Sequence, residues 1–175
     1  IPVNPAAPDS RFSDWLLRQG EVHVGNGTLT WLDELRNAPP LMLTAVDFKL
    51  TNVFHTHRSQ FSAFAPASLL ARPLMIDAQF NARNVDDIKT WTGTVNSTVA
   101  GVSFPRLTTW LELPHQPRQG SGSLHLRFDV VQGALARVGA GFDLRSIEAT
   151  LGDGLPALRL ARMQGSAVWQ RNKDG

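Results

Sequence analysis

The 175-residue sequence contains no cysteine and no tyrosine. Without thiols there is no disulfide framework, no thiolate nucleophile and no thiolate metal site, a composition that suits an oxidising compartment without requiring one. With neither Tyr nor Cys, nothing titrates between His and Lys, so a net charge of only +2 coexists with a pI of about 9.7. The fourteen arginines are scattered singly, so that pI marks no nucleic-acid footprint. No apolar run approaches the roughly 18 to 20 residues that cross a bilayer, so these residues are not expected to span a membrane. Also missing are a Gly-x-Ser-x-Gly elbow, a Gly-x-x-x-x-Gly-Lys loop and a Gly-x-Gly-x-x-Gly fingerprint, which leaves no handle for a serine nucleophile or a nucleotide. The sequence starts at Ile1-Pro2-Val3 without a Met and reads as a section of something longer.

What is present is hydrophobic alternation. With 42% apolar residues the chain can bury a core within one domain, residues 1–175. Phe12, Trp15 and Leu16, between Asp9-Ser10 and Gly20, predict a short amphipathic helix over 9–20. The period then changes from 3.6 to 2. A first strand set is expected over 21–101. Gly25-Asn26-Gly27 reads as a hairpin turn between 21–24 and 28–33, and Leu29 and Trp31 share a face. Pro39-Pro40 marks the start of a strand over 41–51, where Val46, Phe48 and Leu50 oppose Asp47 and Lys49. A further strand is expected over 57–65. Leu74, Ile76, Ala78, Phe80 and Ala82 then alternate with Asp77, Gln79 and Asn81, and Trp91, Val95 and Val99 with Thr92, Thr94 and Asn96.

Ser103 and Pro105 open a second short helix over 103–113. The second strand set, 123–170, follows a turn at Gly120-Ser121-Gly122, with Leu124, Leu126, Phe128 and Val130 on one face. Gln132-Gly133 turns the chain into Ala134, Ala136, Val138, Ala140, Phe142 and Leu144. The parity inverts at Arg145-Ser146, which predicts a β-bulge, and Ile147, Ala149 and Leu151 continue the face. After a turn at Asp153-Gly154 come Leu158, Leu160, Met163, Ala167 and Trp169. The expectation is about nine strands and two short helices: an all-β, mainly antiparallel meander forming a strongly curved sheet or an open, taco-like groove.

The candidates for chemistry are sparse. His55-x-His57 lacks a third ligand for zinc, and Asp86-Asp87 fits turn chemistry better than a carboxylate pair. No catalytic residue, metal or cofactor is expected, and the five tryptophans read as core. The apolar face carries many small residues, among them Ala78, Gly93, Ala136 and Ala140. They could leave room for a ligand or merely satisfy the fold.

Several runs carry a family resemblance. Trp15-Leu16-Leu17-Arg18-Gln19-Gly20-Glu21-Val22, Gly27-Thr28-Leu29-Thr30-Trp31-Leu32-Asp33-Glu34, Ala38-Pro39-Pro40-Leu41 and Val46-Asp47-Phe48-Lys49-Leu50 come first. His57-Arg58, Pro66-Ala67 before Arg72-Pro73-Leu74, Trp91-Thr92-Gly93 and Trp110-Leu111-Glu112-Leu113-Pro114 follow in order. Together, over about residues 12 to 169, they resemble the opening of the large domain of YhdP-type proteins in the AsmA-like group. That resemblance implies a Gram-negative envelope protein anchored in the inner membrane and extending through the periplasm. It also implies a hydrophobic β-groove that moves phospholipid between inner and outer membranes, without catalysis. Leu74, Ile76, Phe80, Val95, Leu124, Leu126, Phe128, Val138, Phe142 and Leu144 are then expected to line the groove against acyl chains. Neighbouring segments of the same long chain, and other envelope proteins, are the expected further partners. The rival expectation is a structural or protein-interaction β-domain.

Overall fold

The computed structural model describes residues 15–35, 38–83, 87–110, 117–150 and 156–172. Eight strands form one antiparallel sheet whose spatial order is the chain order: β1 (Glu21–Asp33), β2 (Ala38–Val53), β3 (Thr56–Phe64), β4 (Leu74–Asn81), β5 (Thr92–Ser103), β6 (Pro117–Val131), β7 (Ala134–Ala149) and β8 (Leu158–Gln170). The sheet does not close into a barrel. The all-β meander expected from the alternation is therefore the fold, with eight strands among the described residues rather than about nine.

The missing strand comes from Gly25-Asn26-Gly27. The chain does not reverse there; β1 runs straight through it. Asn26 takes a left-handed φ of 54° and Ala45, on β2, one of 45°. Val24 faces Phe48, Gly27 faces Val46 and Leu29 faces Leu43, so β1 carries one extra residue and β2 then carries one in return. Two opposed bulges thus displace the register and restore it, using the positive-φ tolerance of Asn that a hairpin would also use. Gly120-Ser121-Gly122 is likewise not a turn but part of β6, with Gly120 at φ 137° beside a register shift. Pro39-Pro40 lies inside β2 rather than before it.

Other turns stand where the residues placed them. Gln132 (φ 51°) and Gly133 (φ 71°) form the two-residue β6–β7 turn, with Val131 facing Ala134. Ser146 has φ 51°, and the β6–β7 register shifts between Gln119 and Ser121, so the bulge expected at Arg145-Ser146 is present. One run of alternation is broken earlier than expected. Val130 faces Leu135 while Asp129 faces Arg137, so Ala136 is the extra residue of a bulge and does not continue the row of Val138.

The first helix is described only as a single turn at 15–18, and the second is Phe104–Leu107, shorter than the expected 103–113, with 111–116 outside the described residues. Pro105 sits in its first turn, while Ser103 makes no side-chain cap. The turn at Asp153-Gly154 and Leu151 also lie outside the described residues.

The compact core is small and sits at one end of the sheet. Leu69 and Leu70, from the β3–β4 connection, close on Val102, and Leu41, Leu74, Val99, Phe104 and Trp110 pack around them. Trp110 Nε1 donates to the Pro39 carbonyl at 2.9 Å. The chain exposes 12526 Å², against about 8,400 Å² for a compact monomer of its mass. The single layer formed by the described strands contributes to that excess.

Candidate functional site: an uncovered apolar face

Cross-strand pairing assigns each residue to a face, because neighbours in register project to the same side. Phe61 faces Ile76, Ala78 faces Val95, Val95 faces Phe128, Phe128 faces Val138 and Val138 faces Trp169. Leu74 faces Ala63, Phe80 faces Gly93, and Leu126, Leu124 and Gly122 face Ala140, Phe142 and Leu144. All ten residues expected to line a groove therefore share one side of the sheet. Each is half-buried; Leu74 alone also packs on the Leu69–Leu70–Val102 core.

The face is larger than that list. Val22, Val24, Phe48, Leu50 and Phe61 extend it across β1 to β3, and Met163, Ala167 and Trp169 across β8. The signal that finds them is the same alternation, carried to the sheet edges. The tryptophans correct an expectation. Trp15, Trp31 and Trp169 are largely exposed rather than core residues, because no second layer among the described residues covers them.

Three glycines on this face do not leave simple gaps. A Cβ at Gly93 would stand 2.7 Å from both Cα and Cδ1 of Phe80, so the Phe80 ring lies across the glycine. Leu144 lies over Gly122 in the same way, at 2.9 Å from Cδ2, and Phe142 over Gly165, at 3.0 Å from Cζ. Each large side chain fills the vacancy of its cross-strand glycine, which levels the face.

At one end of the face His57 is a packing residue. It is 6% exposed and stacks on Trp91 with ring centroids 5.7 Å apart and planes 13° from parallel; Phe80 tilts onto the other ring. Asn52 Nδ2 donates to the carbonyls of Gln19 (2.6 Å) and Leu16 (3.2 Å), so its Oδ1 is turned to His57 at 2.8 Å. Only a protonated Nδ1 can donate to that oxygen, which fixes the tautomer. Burial, then the charge of His55, lowers the His57 pKa below its ordinary value. Trp91 Nε1 is buried without a hydrogen-bond partner among the described residues. Among the described residues no group of three His, Asp or Glu gathers as a metal site. Asp87 accepts from the Lys89 N–H at 3.0 Å and caps the 3₁₀ turn Ile88–Thr90; Asp86 lies outside the described residues.

The opposite face is polar and internally matched. Arg162 grips Asp143 through two bonds of 2.9 and 3.0 Å, which holds that carboxyl below the usual range. His23 contacts Asp47, Lys49 contacts Glu21, and Arg58 donates to Gln79. The recess there, about 350 Å³, is open, and Lys49, Arg58 and Asp77 are among the residues that line it.

Comparison with protein-family models, with curated proteins and with solved structures finds no match to this chain. The resemblance to the AsmA-like group accordingly rests on the ordered motifs alone.

Proposed function

We propose that the chain is a section of a periplasmic lipid conduit, part of a protein anchored in the inner membrane, in which phospholipid acyl chains slide along the apolar face toward the outer membrane. The observation that carries this reading is the face itself: one apolar surface crossing all eight strands, half-exposed at the ten expected positions, with no second sheet over it among the described residues. Apolar surface left in water is unfavourable by roughly 25 cal/mol per Å², so the face favours an apolar occupant. Its residues are aliphatic and aromatic, and such contacts are non-directional, which suits movement rather than capture. The cysteine-free composition agrees with the periplasm.

The test is mass spectrometry of organic extracts from the purified protein, beside a Leu126→Glu variant that places a charge in mid-face. Phospholipid is expected with the parent and strongly depleted in the variant. Lipid absent from both overturns the reading. A second reading has one observation in its favour. Phe80, Phe142 and Leu144 level the face over glycines, and a level apolar surface also suits docking of another protein layer, such as a neighbouring segment of a longer chain. Lipid-free protein that associates through this face would support it.

A further inference from the structure

The turn end of the sheet, opposite the Leu69–Leu70–Val102 core, carries features that the conduit reading does not use. In a meander of this order the 54–55 turn, the described residues 82–83 and 87–91, the 132–133 turn and the end of β8 all lie on one rim. The Ala82 N–H donates to the His55 carbonyl and the Gly133 N–H to the Trp91 carbonyl, each at 2.8 Å, which ties the connections into one edge.

Phe54 is the first residue of its two-residue turn, at φ 51° and 96% exposed. A left-handed conformation there is what Asn or Gly supplies without strain, and an aromatic ring in water adds a second unfavourable term. Neither helps the fold, and outliers of this kind point to a function. Ile88 is 69% exposed on the next connection, and Trp169 is exposed at the end of β8.

Around these side chains stand cations. Arg83, Lys89, Arg137 and Arg171 take part in no ion pair among the described residues. Of the described acids at this end, Glu21 pairs with Lys49 and Asp129 with Arg127, while the Asp87 carboxylate accepts the Lys89 N–H and keeps its charge. Arg83 and Lys89 also line a recess of about 620 Å³ with His55, Thr92 and Gln132.

We infer that this rim seats on the surface of an anionic phospholipid bilayer, with Phe54 and Ile88 entering the interface and Arg83 and Lys89 meeting lipid phosphates. Aromatic and aliphatic tips among unpaired Arg and Lys match that boundary, where an apolar end and a charged end are satisfied at once. The contact does not require the apolar face to carry lipid.

Co-sedimentation with vesicles of phosphatidylcholine, with and without phosphatidylglycerol, tests it. The protein is expected to pellet with the anionic vesicles and to be released by salt. Phe54→Gly keeps the fold, since glycine accepts that φ, and is expected to weaken binding by about tenfold. Arg83→Gln with Lys89→Gln is expected to weaken it about thirtyfold, each cation near an anionic surface being worth about fivefold. Leu35→Ser, at the opposite end, and Leu126→Glu, in mid-face, should leave binding unchanged. The inference is overturned if the protein ignores anionic vesicles or binds neutral ones equally. It is also overturned if Phe54→Gly and the double variant bind like the parent, or if Leu126→Glu abolishes vesicle binding along with extractable lipid.

Discussion

Val95 and Val102 lie on the same strand, β5, and have different surroundings. Val102 is 1% exposed inside the small core, whereas Val95 is half-buried on the uncovered face. Val102→Ala is therefore expected to lower unfolding free energy by about 2 kcal/mol, and Val95→Ala by less than about 1 kcal/mol, in urea denaturation. His57 supplies a pH signature. Its folded pKa lies below the ordinary 6.5, so the unfolded chain binds the extra proton and stability falls as pH drops from 6.5 toward the folded value. The melting temperature should thus rise as the pH is raised through the interval just below 6.5, and His57→Gln should flatten that rise. Asp143, the described carboxylate whose pKa is shifted, lies below its ordinary 3.8 and so acts at more acidic pH. At this scale the sequence is least informative about burial. Trp15, Trp31 and Trp169 look like core by side-chain type, but exposure depends on whether a second layer exists, and alternation cannot report that.

Each β-element shows which local signals are specific. The inversion of parity at Ser146 is legible because the apolar residues change register on either side of it. Asn26 is not, since the same left-handed tolerance serves a hairpin turn or a bulge, and only the pairing with β2 decides between them. Gly93 has a role invisible in one strand. Its hydrogen leaves room for the β4 backbone and the Phe80 ring, and Gly93→Ala is expected to cost about 1–3 kcal/mol by forcing them apart. An equilibrium denaturation midpoint equal to that of the parent would contradict this. Gln132 carries the opposite prediction. It holds a left-handed φ that Asn adopts more readily, so Gln132→Asn should stabilise the β6–β7 hairpin by about 0.5–1 kcal/mol, read as a higher midpoint with an unchanged slope.

For the whole molecule, the ten face residues were legible because a one-residue slip would move every one of them to the other side. Phe54 was not, because an isolated aromatic in a turn breaks no pattern until its φ and exposure are known. The edges of the sheet differ as well. β1 is interrupted by register shifts, while β8 pairs with β7 without one. Among the described residues each strand of the sheet is flanked by the strands next to it in the chain, and this has a kinetic meaning. Where the connections are tight turns, joining one strand to the next closes only a short loop, so that assembly needs no distant encounter. Cohesion is then a chain of nearest-neighbour interfaces, and loss of order begins at the ends. Amide hydrogen exchange should find β1 and β8 opening well before β4 to β6; uniform protection across all eight strands would contradict it. A sheet of this kind behaves as a zipper, able to close strand by strand in the order of synthesis.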